Sequence, residues 1–285
     1  MTIYKSTDGE HAVKQCYNEV LNLCPVAFEQ LTLPTRHGDT HVLACGDETL
    51  PPLLLIHGAM SNVSAWFLNI AEWSQHFRIY AIDMIGEPGL SEQVRLPMDS
   101  DGYALWLDDV MEALALSNTA IVGESLGGWL ALDYASRRPE KVTRLALLVP
   151  GGVGPQRKFL MKALPLMLLG KWGKRKVREM IFGAEQKNPS TTAKKFRELF
   201  ALISRHVKPR WDKLPIFSDQ TLQAIKAPTL AIVAGKDVLL DSKVTQSRLE
   251  ANVADIKVVY QPQARHLISD RREILTFLKG EKSSS

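Results

Sequence analysis

Four short apolar runs constrain the fold of this 285-residue chain more than any other feature of its sequence. They occupy residues 53–56, 79–82, 120–122 and 145–149. Strands that are apolar at every position are typical of a parallel sheet buried on both faces. Amphipathic segments separate the runs, at residues 64–76, 103–115 and 127–137. Each segment is long enough to return over the sheet as a helix, so the pattern predicts consecutive βαβ units and an α/β fold.

Helical patterning replaces this alternation after Pro150. A strand pattern returns at residues 228–233, and a last strand and a helix follow at 256–260 and 270–279. The resumption indicates that the intervening segment is inserted into one doubly wound sheet.

The sequence therefore predicts a mostly parallel central sheet flanked by helices, with a core formed by residues 1–150 and 221–285. Residues 151–220 are expected to form a helical insertion. Three elements are expected before the first buried strand: a helix and the two strands of an antiparallel hairpin, at residues 6–22, 26–33 and 41–45.

The sequence disfavours a membrane span, a secretory signal and a metal site built from cysteines. No run of 18 apolar residues is present, and the first twenty residues lack the apolar stretch of a secretory signal. The three cysteines, Cys16, Cys24 and Cys45, have no metal-binding spacing. We therefore expect a cytoplasmic protein with reduced thiols and no metal site.

Basic charge is concentrated in the predicted insertion. The whole chain has a formal net charge of +4, whereas residues 155–214 contain sixteen Lys and Arg against four Asp and Glu. The segment lacks the interleaved aromatic residues of a nucleic-acid platform, so no nucleic-acid partner is expected. A solvated helix face is the simpler interpretation of this charge. Attraction of a carboxylate-bearing substrate and contact with an anionic membrane surface are the alternatives.

A candidate nucleophile lies in the sequence Gly-Glu-Ser-Leu-Gly at residues 123–127, between a predicted strand and a predicted helix. This G-x-S-x-G pattern in that context predicts a sharp turn that exposes the hydroxyl of Ser125 at the sheet edge. The glycines remove Cβ atoms that would otherwise collide with the neighbouring chain.

A serine hydroxyl near neutral pH needs a base and a group that orients the base. His266 follows the last predicted strand, where a loop at the carboxyl edge of the sheet emerges. Asp237 follows the strand at residues 228–233, and the order Ser, Asp, His is the one this architecture uses. Asp241, four residues further on, is the rival carboxylate.

Backbone N–H groups are expected to stabilise the oxyanion of a tetrahedral intermediate. Leu126 supplies one by its position after Ser125, and Ala59 is the candidate for the second, with Met60 as the alternative. His57 precedes the nucleophile by a whole βαβ unit, so we interpret it as a packing and loop-shaping residue.

These features together resemble the α/β-hydrolase superfamily, and within it the single-domain bacterial carboxylesterases with a helical cap. The resemblance covers about residues 42–278 and rests on five motifs in the family's order, at residues 55–58, 83–91, 123–128, 235–237 and 265–266. It implies catalysis by a triad of Ser125, Asp237 and His266, with oxyanion donors at Ala59 and Leu126. It also implies that the insertion forms a cap and that no cofactor is needed.

The resemblance thus leads us to expect a serine hydrolase that cleaves small to medium apolar carboxylic esters through an acyl-enzyme on Ser125. Lactone, amide or carbon–carbon bond hydrolysis and perhydrolysis by the same triad are alternatives. A ligand-sensing protein of this fold without catalysis is a further one.

Two departures from the family's patterns bear on these alternatives. The motif D-x-x-G-x-G-x-S has one extra residue here, in Gly86-Glu87-Pro88-Gly89. Relatives that cleave carbon–carbon bonds tend to carry H-G-x-G-P-G, which differs from residues 57–62 of this chain, and dehalogenase and epoxide hydrolase relatives have aspartate where this chain has Ser125. The differences at residues 57–62 and at Ser125 disfavour carbon–carbon bond cleavage, dehalogenation and epoxide hydrolysis.

Four apolar residues close in sequence to the catalytic motifs are candidates for a substrate pocket. They are Met60, Trp66, Phe67 and Trp129. Core packing is an equally good interpretation of each. The apolar segment at residues 159–169 either packs on the core or covers such a pocket.

Overall fold

The computed structural model describes residues 2–157, 159–183, 188–210 and 212–281. Within these residues eight strands form one sheet, in the order β1-β2-β4-β3-β5-β6-β7-β8. The strands are β1 Glu29–Thr35, β2 Gly38–Cys45, β3 Pro52–Ile56, β4 Arg78–Ile82, β5 Thr119–Glu124, β6 Val142–Leu148, β7 Thr229–Ala234 and β8 Ile256–Gln261. The β1–β2 and β2–β4 pairs are antiparallel, and all the other pairs are parallel. The prediction of a mostly parallel central sheet is confirmed.

Helices flank this sheet on both faces. The α-helices of the described residues are α1 Thr7–Leu21, α2 Phe67–Trp73, α3 Gly102–Ala113, α4 Leu126–Arg137, α5 Phe159–Met167, α6 Gly170–Phe182, α7 Thr191–His206, α8 Asp219–Gln223, α9 Ser242–Asn252 and α10 Arg272–Leu278. Short 3-10 helices occur at Val63–Trp66 and Pro139–Lys141. The sequence pattern did not identify α9, whose hydrophobic residues do not form a clear apolar stripe.

The uninterrupted apolar runs follow from burial on both faces of the sheet. In β3, Leu53 and Leu55 belong to the core cluster on one face, whereas Leu54 and Ile56 belong to the cluster on the other. Successive side chains of a strand point to opposite faces, so a strand covered on both sides needs apolar residues at every position. The same reasoning applies to β5 and β7, in which every residue is buried.

The N-terminal segment is joined to the last helix of the 151–220 region. Ser6 caps helix α1, because its hydroxyl accepts the N–H of Gly9 at 3.1 Å, and the helix packs against α7. Tyr4 forms a β-bridge with Val207, and the N–H of Lys5 donates to the carbonyl of His206 at 2.8 Å. Helix α7 is therefore anchored beside the sheet through α1.

Loops that leave the carboxyl ends of the parallel strands meet at one edge of the sheet. The residues after β3, β4, β5, β7 and β8 include the motifs at 57–60, 83–91, 125–128, 235–237 and 265–266. This edge is the usual location of binding sites in open α/β sheets. Among the described residues, no helix combines the length and apolarity required to cross a membrane.

Candidate active site

Ser125 occupies a strained turn between β5 and α4. Its backbone has φ 54° and ψ −106°, in the left-handed half of conformational space that residues with a side chain rarely adopt. The N–H of Ser125 donates to the carbonyl of Leu148 at 2.8 Å, and its own carbonyl accepts N–H groups from Trp129 and Gly151, each at 3.0 Å. These backbone hydrogen bonds stabilise the strained conformation that presents the hydroxyl.

The glycines on either side of Ser125 are required by close backbone contacts. A Cβ on Gly127 would collide with the carbonyl oxygens of Ile56 and His57, at the end of β3. A Cβ on Gly123 would collide with the carbonyl of Gly127. The tight turn thus depends on the absence of side chains at both positions.

His266 lies between Ser125 and Asp237. Its Nε2 is 3.0 Å from the Ser125 Oγ, and its Nδ1 is 2.8 Å from the Asp237 Oδ2. A carboxylate only accepts hydrogen bonds, so Nδ1 carries the proton and Nε2 is free to accept the serine hydroxyl proton. Asp237 is 2% exposed, and the His266 side chain is largely buried. The three side chains, remote in sequence, therefore form one hydrogen-bonded chain.

The two candidate carboxylates have different partners. Besides His266, Asp237 accepts the backbone N–H groups of Leu239 at 2.7 Å and Leu240 at 3.1 Å. Asp241 instead accepts the N–H of Val244 at 3.3 Å and caps the N-terminus of α9. The structure thus brings Asp237, and not Asp241, to the histidine.

The loop after β3 passes directly beside Ser125. A Cβ added to Gly58 would lie 3.4 Å from the Cβ of Ser125, so the residue before Ala59 lies beside the serine side chain. Met60 has φ 58°, and its N–H donates to Glu87 Oε2 at 2.7 Å. Since that N–H is already bound, Ala59 remains the better candidate for the second oxyanion donor. Leu126 begins α4 immediately after Ser125, so its N–H belongs to the first turn of the helix.

Glu87 is a buried carboxylate that lies beneath this loop. No role was predicted for it from the sequence. It is 1% exposed, and its Oε1 faces the Nε of Arg210 at 3.6 Å, with the arginine side chain 4% exposed. Arg210 also donates to the hydroxyl of Tyr103 at 2.6 Å. The only sequence signal for Glu87 was the extra residue in the 86–89 motif, which gives that loop its unusual length.

His57 holds the loop by two short contacts. Its Nε2 accepts the N–H of Met84 at 3.0 Å, so its Nδ1 carries the proton and donates to the carbonyl of Gly58 at 2.7 Å. The side chain is fully buried. The structure therefore places His57 in a position suited to shaping the loop, as predicted.

Asp83 organises the base of the site. Its fully buried carboxylate accepts hydrogen bonds from the side chains of Tyr17 and His41 and from the N–H groups of Val63 and Leu90, at 2.8–3.0 Å. Burial alone would raise the pKa of the Asp83 carboxyl, but the hydrogen bond and charge of His41 outweigh it and hold the pKa below its usual value. The network connects α1 and β2 to the loops after β3 and β4.

A second buried ion pair connects the serine turn to the histidine loop. Arg271 Nη2 donates to Glu124 Oε2 at 3.0 Å, and Arg271 Nε donates to the carbonyl of Ile268 at 2.9 Å. Its guanidinium also lies 5.2 Å from the ring centre of Trp66. Glu124 stood inside a recognised motif, but no local pattern identified its partner.

The four predicted pocket residues have different surroundings. Trp66 is fully buried and packs in the core near Trp73, with ring centres 6.2 Å apart. Phe67 contacts Phe196 of α7 edge-on, and Met60 is half-buried in the loop beside Ser125. Trp129 donates to the carbonyl of Pro215 at 2.9 Å and stacks on the ring of Phe217.

Helix α6 reaches the loop that contains His266. Arg265 Nη1 donates to the carbonyl of Met180 at 2.8 Å, near the C-terminal end of that helix. This contact brings the 151–220 region to the mouth of the site. No group of three or more His, Cys, Asp or Glu side chains suited to hold a metal ion occurs in the part of the chain that the structure describes.

Comparison with known proteins identifies similar chains. A family model described as alpha/beta hydrolase fold matches residues 51–223. Two Bacillus subtilis (strain 168) proteins are similar over most of their length. The uncharacterized carboxylesterase nap is 31% identical over 90% of this chain and 86% of its own, and carboxylesterase YbfK is 28% identical over 93% of both chains. The crystal structure of naproxen esterase from Bacillus subtilis is 30% identical and superposes with a TM-score of 0.82, covering 97% of this chain and 99% of that one.

Proposed function

The chain belongs to the α/β-hydrolase family, and on that premise we propose that it is a serine carboxylesterase in which Ser125, His266 and Asp237 form the catalytic triad. One observation carries the proposal: the continuous hydrogen-bonded chain from the Ser125 hydroxyl through His266 to a buried carboxylate. Similarity to the two Bacillus carboxylesterases over about nine-tenths of the chain supports ester hydrolysis as the activity.

Acylation begins with attack of the Ser125 Oγ on the ester carbonyl carbon, as His266 Nε2 takes the hydroxyl proton. Asp237 keeps the imidazole in the required tautomer and stabilises its transient positive charge. The tetrahedral intermediate then expels the alkoxide, which leaves as the alcohol after receiving the proton from His266. An ester bond to Ser125 remains.

Deacylation repeats the same steps with water as the nucleophile. His266 removes a proton from water, the resulting hydroxide attacks the acyl carbonyl, and the Ser125 oxygen leaves with the returned proton. The carboxylic acid is released and the enzyme is restored.

The backbone N–H groups of Ala59 and Leu126 are the proposed oxyanion donors for both intermediates. Their value lies in being fixed before the reaction, because donors that need not reorganise stabilise developing charge most effectively. The rigid serine turn, and the anchoring of the 58–60 loop through His57 and Glu87, support this role.

The region 151–220 is proposed to act as the cap above the site and to favour small to medium apolar acyl groups. The contact between Arg265 and Met180 and the aromatic contact between Phe67 and Phe196 both support this arrangement. We propose a cytoplasmic enzyme that uses neither metal nor cofactor.

Hydrolysis of a panel of p-nitrophenyl esters tests the proposal. We expect turnover by the wild-type chain and a loss of roughly 10⁴-fold or more in Ser125→Ala and His266→Ala. Ser74→Ala, which alters a hydroxyl on the C-terminal turn of α2, serves as the matched control and should retain activity. A fluorophosphonate should label the wild type and Ser74→Ala but not Ser125→Ala. Undiminished turnover in Ser125→Ala would refute the assignment.

A further inference from the structure

Large apolar side chains are exposed together at the corner between α5 and α6. Leu168 is 82% exposed and Trp172 is 50% exposed, and Leu164 and Leu169 are also largely in solvent. All four lie within nine positions of the chain. Single exposed apolar residues are normal on a protein surface, whereas a cluster marks a surface that contacts something less polar than water.

The local backbone holds this corner in a defined shape. Leu164 and Leu168 are one helical turn apart, and Gly170, with φ +63°, turns the chain from α5 into α6. Gly173 packs so closely on the carbonyl of Leu166 that a Cβ there would collide with it. The exposed apolar residues therefore sit at the apex of two packed helices, which we call the α5–α6 corner.

The sequence of α6, which starts at the same corner, is rich in basic residues. Residues 171–178 contain five Lys and Arg, and Glu179 is the single acidic residue of α6. Arg175 and Lys176 follow Trp172 by three and four positions, so they share its helix face, and their side chains are about half exposed. Each also pairs with Glu179, at 3.6 Å and 2.8 Å, which neutralises only part of the local charge.

We propose that the α5–α6 corner attaches the protein to the surface of an anionic phospholipid bilayer. Leucine and tryptophan side chains enter the boundary between headgroups and acyl chains, while the neighbouring cations contact the lipid phosphates. A nucleic acid would be recognised by the cations but would leave the leucines in water. A symmetric dimer through this corner would bring the two basic helices together, with like charges opposed.

One helix, α6, links the α5–α6 corner to the loop that contains His266. Helix α6 contains the exposed face at its start and contacts Arg265, the residue before His266, near its end. The inference concerns binding alone, so its test does not depend on the proposed esterase activity.

Co-sedimentation with sucrose-loaded vesicles tests the inference on the full chain. We expect binding to vesicles of equal phosphatidylglycerol and phosphatidylcholine, and at least roughly tenfold weaker binding to pure phosphatidylcholine. Raising the salt from about 0.05 M to 0.5 M should weaken the anionic binding by a similar factor, since the Debye length shortens severalfold.

Two variants and one control locate the contact. Leu168→Ser with Leu169→Ser should reduce partitioning roughly tenfold or more, because two side chains lose their apolar contact with the acyl boundary. Leu68→Ser is the matched control: Leu68 is 96% exposed but lies on α2, so its replacement should leave vesicle binding unchanged. Arg175→Glu with Lys176→Glu should abolish the preference for anionic vesicles.

Circular dichroism and thermal unfolding establish that each variant is folded. If the double serine variant is not folded, the charge-reversal variant alone tests the proposal. A charge-reversal variant that still prefers anionic vesicles overturns it. Equal binding of the wild type to both vesicle types overturns it as well. The proposal is also overturned if the wild type does not bind vesicles but forms a concentration-dependent dimer that the double serine variant does not form.

Discussion

Replacing Asp237 by asparagine should disable the active site while leaving the fold intact. The two carboxylate oxygens have different partners: Oδ2 faces His266 Nδ1 at 2.8 Å, whereas Oδ1 accepts the backbone N–H groups of Leu239 and Leu240. Two fixed donors need an acceptor, so the asparagine keeps its carbonyl oxygen toward them. Its NH₂ group is then directed at the histidine.

That orientation reverses the imidazole tautomer. An amide NH₂ only donates, so Nδ1 of His266 must be unprotonated to accept from it, and the proton moves to Nε2. A protonated Nε2 has no lone pair for the Ser125 proton, and the 3.0 Å contact between the two groups no longer activates the nucleophile. The defect is therefore chemical and not a loss of structure.

The expected loss in kcat is about 10⁴-fold, or ~5.5 kcal/mol of transition-state stabilisation, as for a triad held in the wrong tautomer. Stability should fall by only about 1 kcal/mol, because both backbone hydrogen bonds to the side chain are retained. A variant that lost activity through unfolding would show a much larger change.

Asp241→Asn is the matched control four residues away. Asparagine caps a helix as well as aspartate does, and the distant pair of Asp241 with Arg157, at 3.9 Å, contributes less than about 1 kcal/mol. Activity should stay within about twofold of the wild type. Steady-state hydrolysis of a p-nitrophenyl ester, with urea unfolding of both variants, measures the contrast. The tautomer argument is refuted if Asp237→Asn keeps more than about a tenth of the activity or if the control loses as much.

Three further predictions concern the buried carboxylates around the site. Glu87→Gln should lower kcat roughly tenfold with little change in KM, because a neutral amide holds the Met60 N–H less firmly than a carboxylate does. Steady-state kinetics on the folded variant would detect the fall in kcat, and an unchanged kcat contradicts the prediction. Asp83→Asn should lower the free energy of unfolding by roughly 3 kcal/mol at pH 7, since a buried network loses its charge. The pKa of Asp83 is depressed on folding, so the contribution of its carboxylate to the free energy of unfolding is complete above about pH 4 and is lost as the pH falls further. Urea unfolding from pH 3 to 7 should therefore show a shallower loss of stability toward acid pH in the variant than in the wild type. Identical profiles of the two proteins would exclude the effect. Arg271→Met should lower the free energy of unfolding by roughly 3 kcal/mol, because it leaves Glu124 buried and unpaired. In thermal unfolding, adding Glu124→Met should recover part of that loss, whereas additive losses would argue against the ion pair.

Features that depend on local patterning could be predicted from the sequence. The buried strands followed from runs such as residues 53–56, because a strand covered on both faces has no polar side. The strained turn at Ser125 followed from glycines at fixed spacing, since the collisions that they avoid involve nearby backbone. The family followed from several such local motifs in a definite order.

Element boundaries were less accurate where local and tertiary preferences compete. The segment predicted as one helix at residues 64–76 is a 3-10 helix followed by α2, with Asn62 capping the first turn. Helix α9 was missed because its apolar residues do not repeat on one face.

The tertiary structure distinguished the two candidate acids and brought together further distant groups that no motif had paired. The sequence favoured Asp237, directly after a strand, and kept Asp241 as the rival. The structure brings Asp237 to His266, whereas Asp241 caps the N-terminus of α9. The contacts of Glu87 with Met60 and of Arg271 with Glu124 likewise join loops far apart in the chain. Local patterns determine local backbone, whereas such pairs depend on how the sheet order and loop paths bring separate strand ends to one edge.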